Sequence, residues 1–432
     1  MRFNQSKAPS AQLTLSVNTC RAWSALFVAI VFSSAGVAHG QELARDQGVM
    51  DRARPEYDAM GIRLGSFLAY PAADLRFGYD DNVLAEDSNE IDDQLFTLSP
   101  SLVLESNWSR HFLSIAADST SVLYTDETRE DHTDWGVAGK GRLDILKSMD
   151  ITTLISFQNR TESRDSIDAV RVVLEPTEYD QFDASLAWNN RFNRILASIG
   201  AGYTKLDYDD SPRVGGGIVD QDFRDREILK GIGELGYEFA AGHHAFVRGV
   251  VNERYYRKSP PSVAFDRDSH GFEVVAGWAS AISNLIAGEA YVGYLDQNYD
   301  SSSLNDVDGV SFGLDLEWYA TQFTTVWAAA SRDVVDSTTT GTGGILRSAV
   351  AIGLDHELMR NVLLHGEVSY YNGDFKGNKR EDNWIGTTLG VKYLLNRRIH
   401  LDLSYSLKNR WSNAANLDYL RNQVSLGVRF QL

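Results

Sequence analysis

The stretch Asp418–Leu432 (DYLRNQVSLGVRFQL) constrains this chain more than any other. Leu420, Val424, Leu426, Val428, Phe430 and Leu432 fall on even positions; Tyr419, Arg421, Gln423, Ser425, Gly427, Arg429 and Gln431 fall on odd ones. Successive side chains of a β-strand point to opposite faces, so a period of two marks a strand whose faces meet different surroundings. The apolar row runs to Leu432 with no polar tail behind it. An exposed apolar edge templates aggregation through its unpaired N–H and C=O groups. Closing the sheet on itself removes that edge, and hydrocarbon then suits the row of Leu, Val and Phe. The stretch predicts the last strand of a closed barrel in lipid.

The same alternation recurs upstream. Strands are predicted near residues 72–80, 96–108, 111–125, 131–146, 149–163, 178–190, 192–208, 222–239, 243–257, 265–281, 285–299, 306–320, 324–338, 344–358, 362–375, 380–395, 400–413 and 418–432, about eighteen in all. Val310, Phe312, Leu314, Leu316 and Trp318 oppose Ser311, Gly313, Asp315 and Glu317, for example, whereas Thr324–Ala330 is too uniformly small and apolar to orient. Tight turns (Lys147–Asp150, Asn189–Phe192, Ala240–His243, Ala281–Asn284, Leu395–Arg398) alternate with longer polar loops (Asp81–Gln94, Ser163–Thr177, Asp209–Gln221, Ser259–Ala264). Trp108, Tyr203, Tyr237, Trp278, Trp318, Trp384, Tyr393 and Trp411 lie near strand ends, where an interfacial girdle is expected. The fold class predicted is all-β: a transmembrane antiparallel up-and-down β-barrel with short periplasmic turns and longer extracellular loops. A soluble sandwich or propeller would need shorter strands and leaves the terminal strand unexplained.

The N-terminus reads as an export signal. Arg2, Lys7 and Arg21 are the only charges before Glu42, the apolar run WSALFVAIVF is too short to span a membrane, and Ala38-His39-Gly40 offers a small-x-small cleavage site. Residues 1–40 are therefore taken as signal peptide, 41–71 as a periplasmic N-terminal segment and 72–432 as the barrel. Cys20 would leave with the signal, which excludes disulfides and thiolate metal sites from the remainder. Losing three basic and no acidic residues takes the net charge from −18 to −21. Such acidity argues against nucleic acid as a partner.

No HExxH or phosphate-loop pattern is present, and no catalytic residue, cofactor or metal is expected. The acidic loops around Asp80–Asp93 and Asp126–Asp131 lack calcium-loop spacing and read as solvated. About eighteen strands leave an aqueous lumen. The candidates to line it carry both signs: Arg76, Glu105, Asp315, Glu317, Arg347, Glu367, Asp402, Lys408, Arg410, Arg421 and Arg429, with Asp74 beside them. A wall of mixed charge suits a polar, hydroxyl-rich solute; the plainer alternative is that the charges pair with one another and stiffen the wall.

Two resemblances are carried by specific residues. Ser425-x-Gly427-x-x-Phe430-x-Leu432 resembles the terminal signal read by the barrel-assembly machinery of bacterial outer membranes, with Leu432 where an aromatic is usual. Arg52–Asp58, Gly61-Ile62-Arg63, Gly65, Phe67, Pro71 and Tyr79-Asp80-Asp81-Asn82-Val83, followed by Pro100, Trp108 and His111, resemble the start of the putative β-barrel porin 2 family. That resemblance implies a barrel set in outer-membrane lipid and lipopolysaccharide. It also implies a link to secretion of an extracellular polysaccharide beside a periplasmic polysaccharide-export protein. Two functional expectations follow: a polysaccharide secretion pore and, as the alternative, a general diffusion porin for small hydrophilic solutes. A long loop folded into the lumen, Ser163–Thr177 or Asp209–Gln221, would favour the second.

Overall fold

The computed structural model describes residues 47–260, 262–280, 285–339 and 341–432. The predicted signal peptide with its cleavage site and Cys20, the first residues of the N-terminal segment and the turn Ala281–Asn284 lie outside the described residues.

Eighteen long strands form the wall: β1 Phe67–Asp80, β2 Asp93–Ser106, β3 Phe112–Tyr124, β4 His132–Leu146, β5 Met149–Thr161, β6 Glu178–Phe192, β7 Ile195–Tyr208, β8 Arg226–Ala240, β9 His243–Tyr256, β10 Ser269–Ser280, β11 Ile286–Tyr299, β12 Val307–Thr321, β13 Thr324–Asp336, β14 Gly344–Met359, β15 Val362–Phe375, β16 Glu381–Leu394, β17 Ile399–Ser412 and β18 Tyr419–Gln431. Each pairs antiparallel with its neighbour in sequence, and β18 closes on β1 from Ala72↔Gln431 to Asp80↔Gln423. Closure pairs the backbone around the ring, as hydrocarbon demands. Strands of 12 to 16 residues, tilted, are long enough for an apolar band about 25 Å tall.

The period of two decides which face meets lipid. On β18, Leu420, Val424, Leu426 and Phe430 are exposed, while Tyr419, Arg421 and Gln431 are buried inside. Gly427 is required by what stands beside it: a Cβ there would lie 2.4 Å from the Asp402 Oδ1 of β17. Trp108, Tyr237, Trp318, Tyr393 and Trp411 are exposed near strand ends, as a girdle requires. Trp384 corrects that expectation. It shares parity with the fully buried Asp382, whereas Ile385 faces out, and its ring lies inside under the Arg410 guanidinium, 4.9 Å from the ring centroid. Trp327 likewise orients β13 by pointing inward, 4% exposed.

The wall starts at Phe67, so the expected boundary at residues 71–72 cuts through the first strand. Pro71 interrupts the sequence pattern, yet its carbonyl accepts the Leu432 N–H at 3.2 Å and the strand runs through it. Before it, Ile62–Leu64 folds back on Phe67–Ala69 through Gly65, whose φ of +64° is the left-handed region that glycine tolerates.

One seam is incomplete. The β12–β13 ladder runs from Thr321↔Thr324 to Gly313↔Ser331 and stops. Above it, β12 stays paired with β11 as far as Val307, and β13 stays paired with β14 as far as Asp336. The β13–β14 tip, with β14 still paired to β15 as far as Ile345↔Phe375, therefore parts from β12 and lies inside the upper ends of β11 and β12. Val334 and Leu346, on the lipid-facing parity of their strands, pack against the inward Leu295, Tyr299 and Val307.

Candidate functional site

The predicted lining residues all stand on the face opposite the exposed apolar rows, and most are joined to a neighbour. Arg76 Nη2 lies 3.6 Å from Asp402 Oδ2, and Arg429 Nη1 lies 3.0 Å from Asp74 Oδ2. Arg347 Nε donates to Asp333 at 3.0 Å, and Glu317 accepts the Tyr319 hydroxyl at 3.2 Å. Glu367 faces His365 at 3.9 Å. Glu105 stands across the β2–β3 ladder from the buried Ser114, and Asp315 across the β11–β12 ladder from Glu289. These charges are spread over the height of the wall.

At the loop end, three of the predicted residues converge on carboxylates from other strands and loops. Arg421 grips Asp80 with Nε at 3.1 and 3.0 Å from its two oxygens, and Arg410 reaches Asp382, with Asp80 and Asp382 both fully buried. Lys408 and Arg421 both turn toward Asp165, which belongs to the connection between β5 and β6 on another part of the ring.

That connection, residues 162–177, lies across the mouth. Arg164 anchors its start on Glu130, with Nε 3.0 Å from Oε2. Ile167 packs in the cluster of Ala85, Trp384 and Tyr419, and its carbonyl accepts from Arg380 at 3.4 Å. Asp168 accepts the Thr338 N–H at the β13–β14 tip, while Thr338 Oγ1 donates to the Asp168 carbonyl at 3.2 Å. Arg171 reaches the Asn416 carbonyl at 3.3 Å. The companion loop 209–225 does not cross the lumen with it. It forms a small hairpin (Ser211–Pro212 with Ile218–Val219) that braces residues 172–174 through Leu174 N–H to Pro212 O at 2.7 Å and Val214 N–H to Val172 O at 2.9 Å. Asp210, Asp220 and Asp222 meet in this hairpin, but Lys258 already bridges Asp220 and Asp222.

Two carboxyls hold the crossing loop and respond to pH differently. Asp165 is buried, which alone would raise it, but Lys408 and Arg421 outweigh burial and hold it well below the usual range. Asp168 is pushed up to about 6 by burial, against the Thr338 N–H and the Arg224 charge. A raised carboxyl means the latched loop binds a proton more readily than the released one. Protonation therefore favours latching, and that contribution, on the order of 3 kcal/mol, is lost as pH rises through about 6. Ion current through the purified protein in planar bilayers is expected to fall as pH drops from 7.5 to 5, and Asp168→Asn to abolish that fall. An unchanged pH profile in the variant would remove Asp168 from this role.

The opposite mouth holds the N-terminal segment, which has neither helix nor strand from Gln47 to Met60. Val49 is fully buried against Leu363 and Leu394, with its N–H on Thr325 Oγ1 at 2.9 Å. Arg54 pairs with Glu357 at 2.8 Å, and the Tyr57 carbonyl meets His400 Nε2 at 3.1 Å. Arg397 donates to the Pro55 carbonyl at 2.8 Å. No local pattern marks Val49, Arg54, Asp165 or Asp168, because their partners lie hundreds of residues away; only the length of Ser163–Thr177 drew attention to that loop.

A closed eighteen-strand wall, apolar outside and charged inside, with short turns at one end and infolded loops at the other, defines an outer-membrane channel barrel of the porin class. Residues 54–432 match the putative β-barrel porin 2 family, and the chain belongs to it; its place is the bacterial outer membrane. No curated protein matches it in sequence. Among solved structures it is similar to Pseudomonas aeruginosa OccK2 (OpdF), with a TM-score of 0.46 and 10% identity over 85% of this chain and 99% of that one. Acinetobacter baumannii OccAB4 gives 0.44 and 12% over 84% and 98%. A BenF-like porin from Pseudomonas fluorescens Pf-5 gives 0.44 and 10% over 84% and 99%.

Proposed function

We propose that this barrel is a size-limited diffusion channel for small hydrophilic solutes. The observation that carries this reading is the loop 162–177, which lies across the mouth and is fastened on the far side through Asp165, Asp168 and Arg380. An extruded polymer must thread its whole length through the narrowest section, whereas a small solute has only to fit past it once. The segment Gln47–Met60 adds a second obstruction at the other end. Mixed charge and hydroxyls along the wall let a hydrated solute exchange water hydrogen bonds for side-chain ones at small net cost. No phosphate-loop motif is present to drive transport, so movement follows the concentration gradient.

The test is liposome swelling with neutral sugars of increasing length. Rates are expected to fall steeply between mono- and tetrasaccharides. The rival reading is secretion of a polysaccharide with a periplasmic export protein. It requires instead that a deletion strain lose surface polymer while still making it, and that the segment Gln41–Met60 and the turns Asn189–Phe192 and Leu395–Arg398 crosslink to that partner. That outcome, together with no size-dependent swelling, would overturn the diffusion reading.

A further inference from the structure

The infolded β13–β14 tip is held by basic residues of β8 and β9 and the loop after β9. Arg226 Nε lies 2.8 Å from Asp336 Oδ2, and Arg254 Nη1 contacts the other oxygen of the same carboxylate. Arg254 Nη2 also donates to the Val334 carbonyl at 3.1 Å, and Arg267 reaches the Ser337 carbonyl. The pocket is walled by Tyr208 and Tyr256, whose ring centroids lie 5.8 and 5.9 Å from the Arg226 guanidinium. Two guanidinium groups thus share one carboxylate, which leaves a positive charge in a chain that is otherwise strongly acidic. Arg254 Nε and Tyr299 Oη are buried beside it with no hydrogen-bond partner among the described residues. Donors outnumber the acceptors that Asp336 supplies.

Asp336 reaches this pocket only because the tip has parted from β12 while β14 stays laddered to β15. On the lipid-facing parity of β13, it turns to inward arginines four and five strands back along the ring. The edge of β12 from Val307 to Phe312 has no ladder partner on the β13 side. Continuing the register past Gly313↔Ser331 would set Phe312 against Arg332 and Val310 against Val334. Arg332 already spans the gap, its guanidinium 5.1 Å from the Phe312 ring centroid and its Nη1 3.5 Å from the Val310 carbonyl. Unpaired strand edges at a membrane are costly, so re-pairing them offsets what the tip loses on leaving the pocket.

We propose that Arg226 and Arg254 form a binding site for the carboxylate of a small acidic solute, which Asp336 occupies in the resting channel. An arriving carboxylate presents the same two oxygens to the same forked donors, displaces Asp336, and frees the tip to swing back and re-pair with β12. The mouth widens as the solute binds. This rests on the diffusion reading and adds to it a preferred substrate class, acidic sugars and organic acids, and a gate.

The test uses full-length protein purified from outer membranes, with sodium glucuronate as probe and glucose as its neutral counterpart. In planar bilayers glucuronate is expected to raise conductance where glucose does not, and Asp336→Asn to conduct several-fold more than wild type without either. A Val307→Cys/Leu346→Cys pair, joined by a short thiol crosslinker, fixes the tip inside. The crosslinked protein is expected to lose the glucuronate response and the same sample without crosslinker to keep it, so a folding defect cannot imitate the result. Equal responses to the two sugars, or wild-type conductance in Asp336→Asn, would overturn the gate while leaving the channel reading intact if neutral sugars still permeate. Failure of the wild type to pass neutral sugars would remove the channel reading itself.

Discussion

Phe430→Asp is expected to abolish assembled barrel in the outer membrane. Phe430 is exposed on the lipid face of β18, two residues before Leu432 and opposite Ala73 and Ile399 in the ladders that close the ring. A carboxylate there costs about 1–3 kcal/mol according to its depth. The change also destroys the terminal pattern of Gly427, Phe430 and Leu432 that resembles the assembly signal. The two effects act at different stages, one on the finished barrel and one on its delivery, and both lower the yield. The measurement is the heat-modifiable band of outer-membrane fractions on semi-native gels. A Phe430→Leu control keeps the apolar face and is expected to retain most of the assembled protein. Normal heat-modifiable levels in Phe430→Asp would show that neither the lipid-facing assignment nor the signal matters at this position.

Replacing Asp165–Leu174 with a short Gly-Ser linker is expected to raise single-channel conductance several-fold and to flatten the dependence of swelling on sugar length. The excised residues lie between β5 and β6, so every wall ladder keeps its register. The ion pairs of Glu162 with Arg224 and of Arg164 with the buried Glu130 also remain. What is lost is the bridge: Asp165 leaves Lys408 and Arg421, Asp168 leaves Thr338, and Ile167 leaves the ring cluster of Trp384 and Tyr419. Arg421 retains Asp80, so no buried guanidinium is stranded there. That matters because breaking a buried pair costs about 3–5 kcal/mol, enough to confuse a permeation experiment with a stability one. A variant that assembles normally and conducts like wild type would place the limiting section elsewhere, with the segment Gln47–Met60 the next to remove.

Much of the lining could be read from alternation, and the reason is local. On β17, Asp402, Lys408 and Arg410 share the inward face because each lies an even number of residues from the others. Their use was not legible. Lys408 reads the same whether it faces water or, as here, a carboxylate 243 residues away. Trp384 shows the limit from the other side: an aromatic near a strand end has the composition of a girdle residue, and only its parity with Asp382 turns it inward.

The sequence by itself determined the wall: its eighteen or so strands, the inward and outward faces of those that alternate cleanly and the closing of β18 on β1. Hydrocarbon outside and water inside impose a period of two at every step, and an unpaired edge is intolerable between them. Tertiary structure alone decided what fills the two mouths. A polar loop that crosses a lumen and one that splays into solvent have the same composition, and neither Asp168–Thr338 nor Arg54–Glu357 leaves a local trace. The β13–β14 tip is the sharpest case. Its alternation predicts Val334 and Leu346 against lipid, yet they pack on the inner surface of β11 and β12. A strand's pattern states which two faces it has; what each face meets depends on where the whole segment is carried, and here the arginines of β8 and β9 carry it inward.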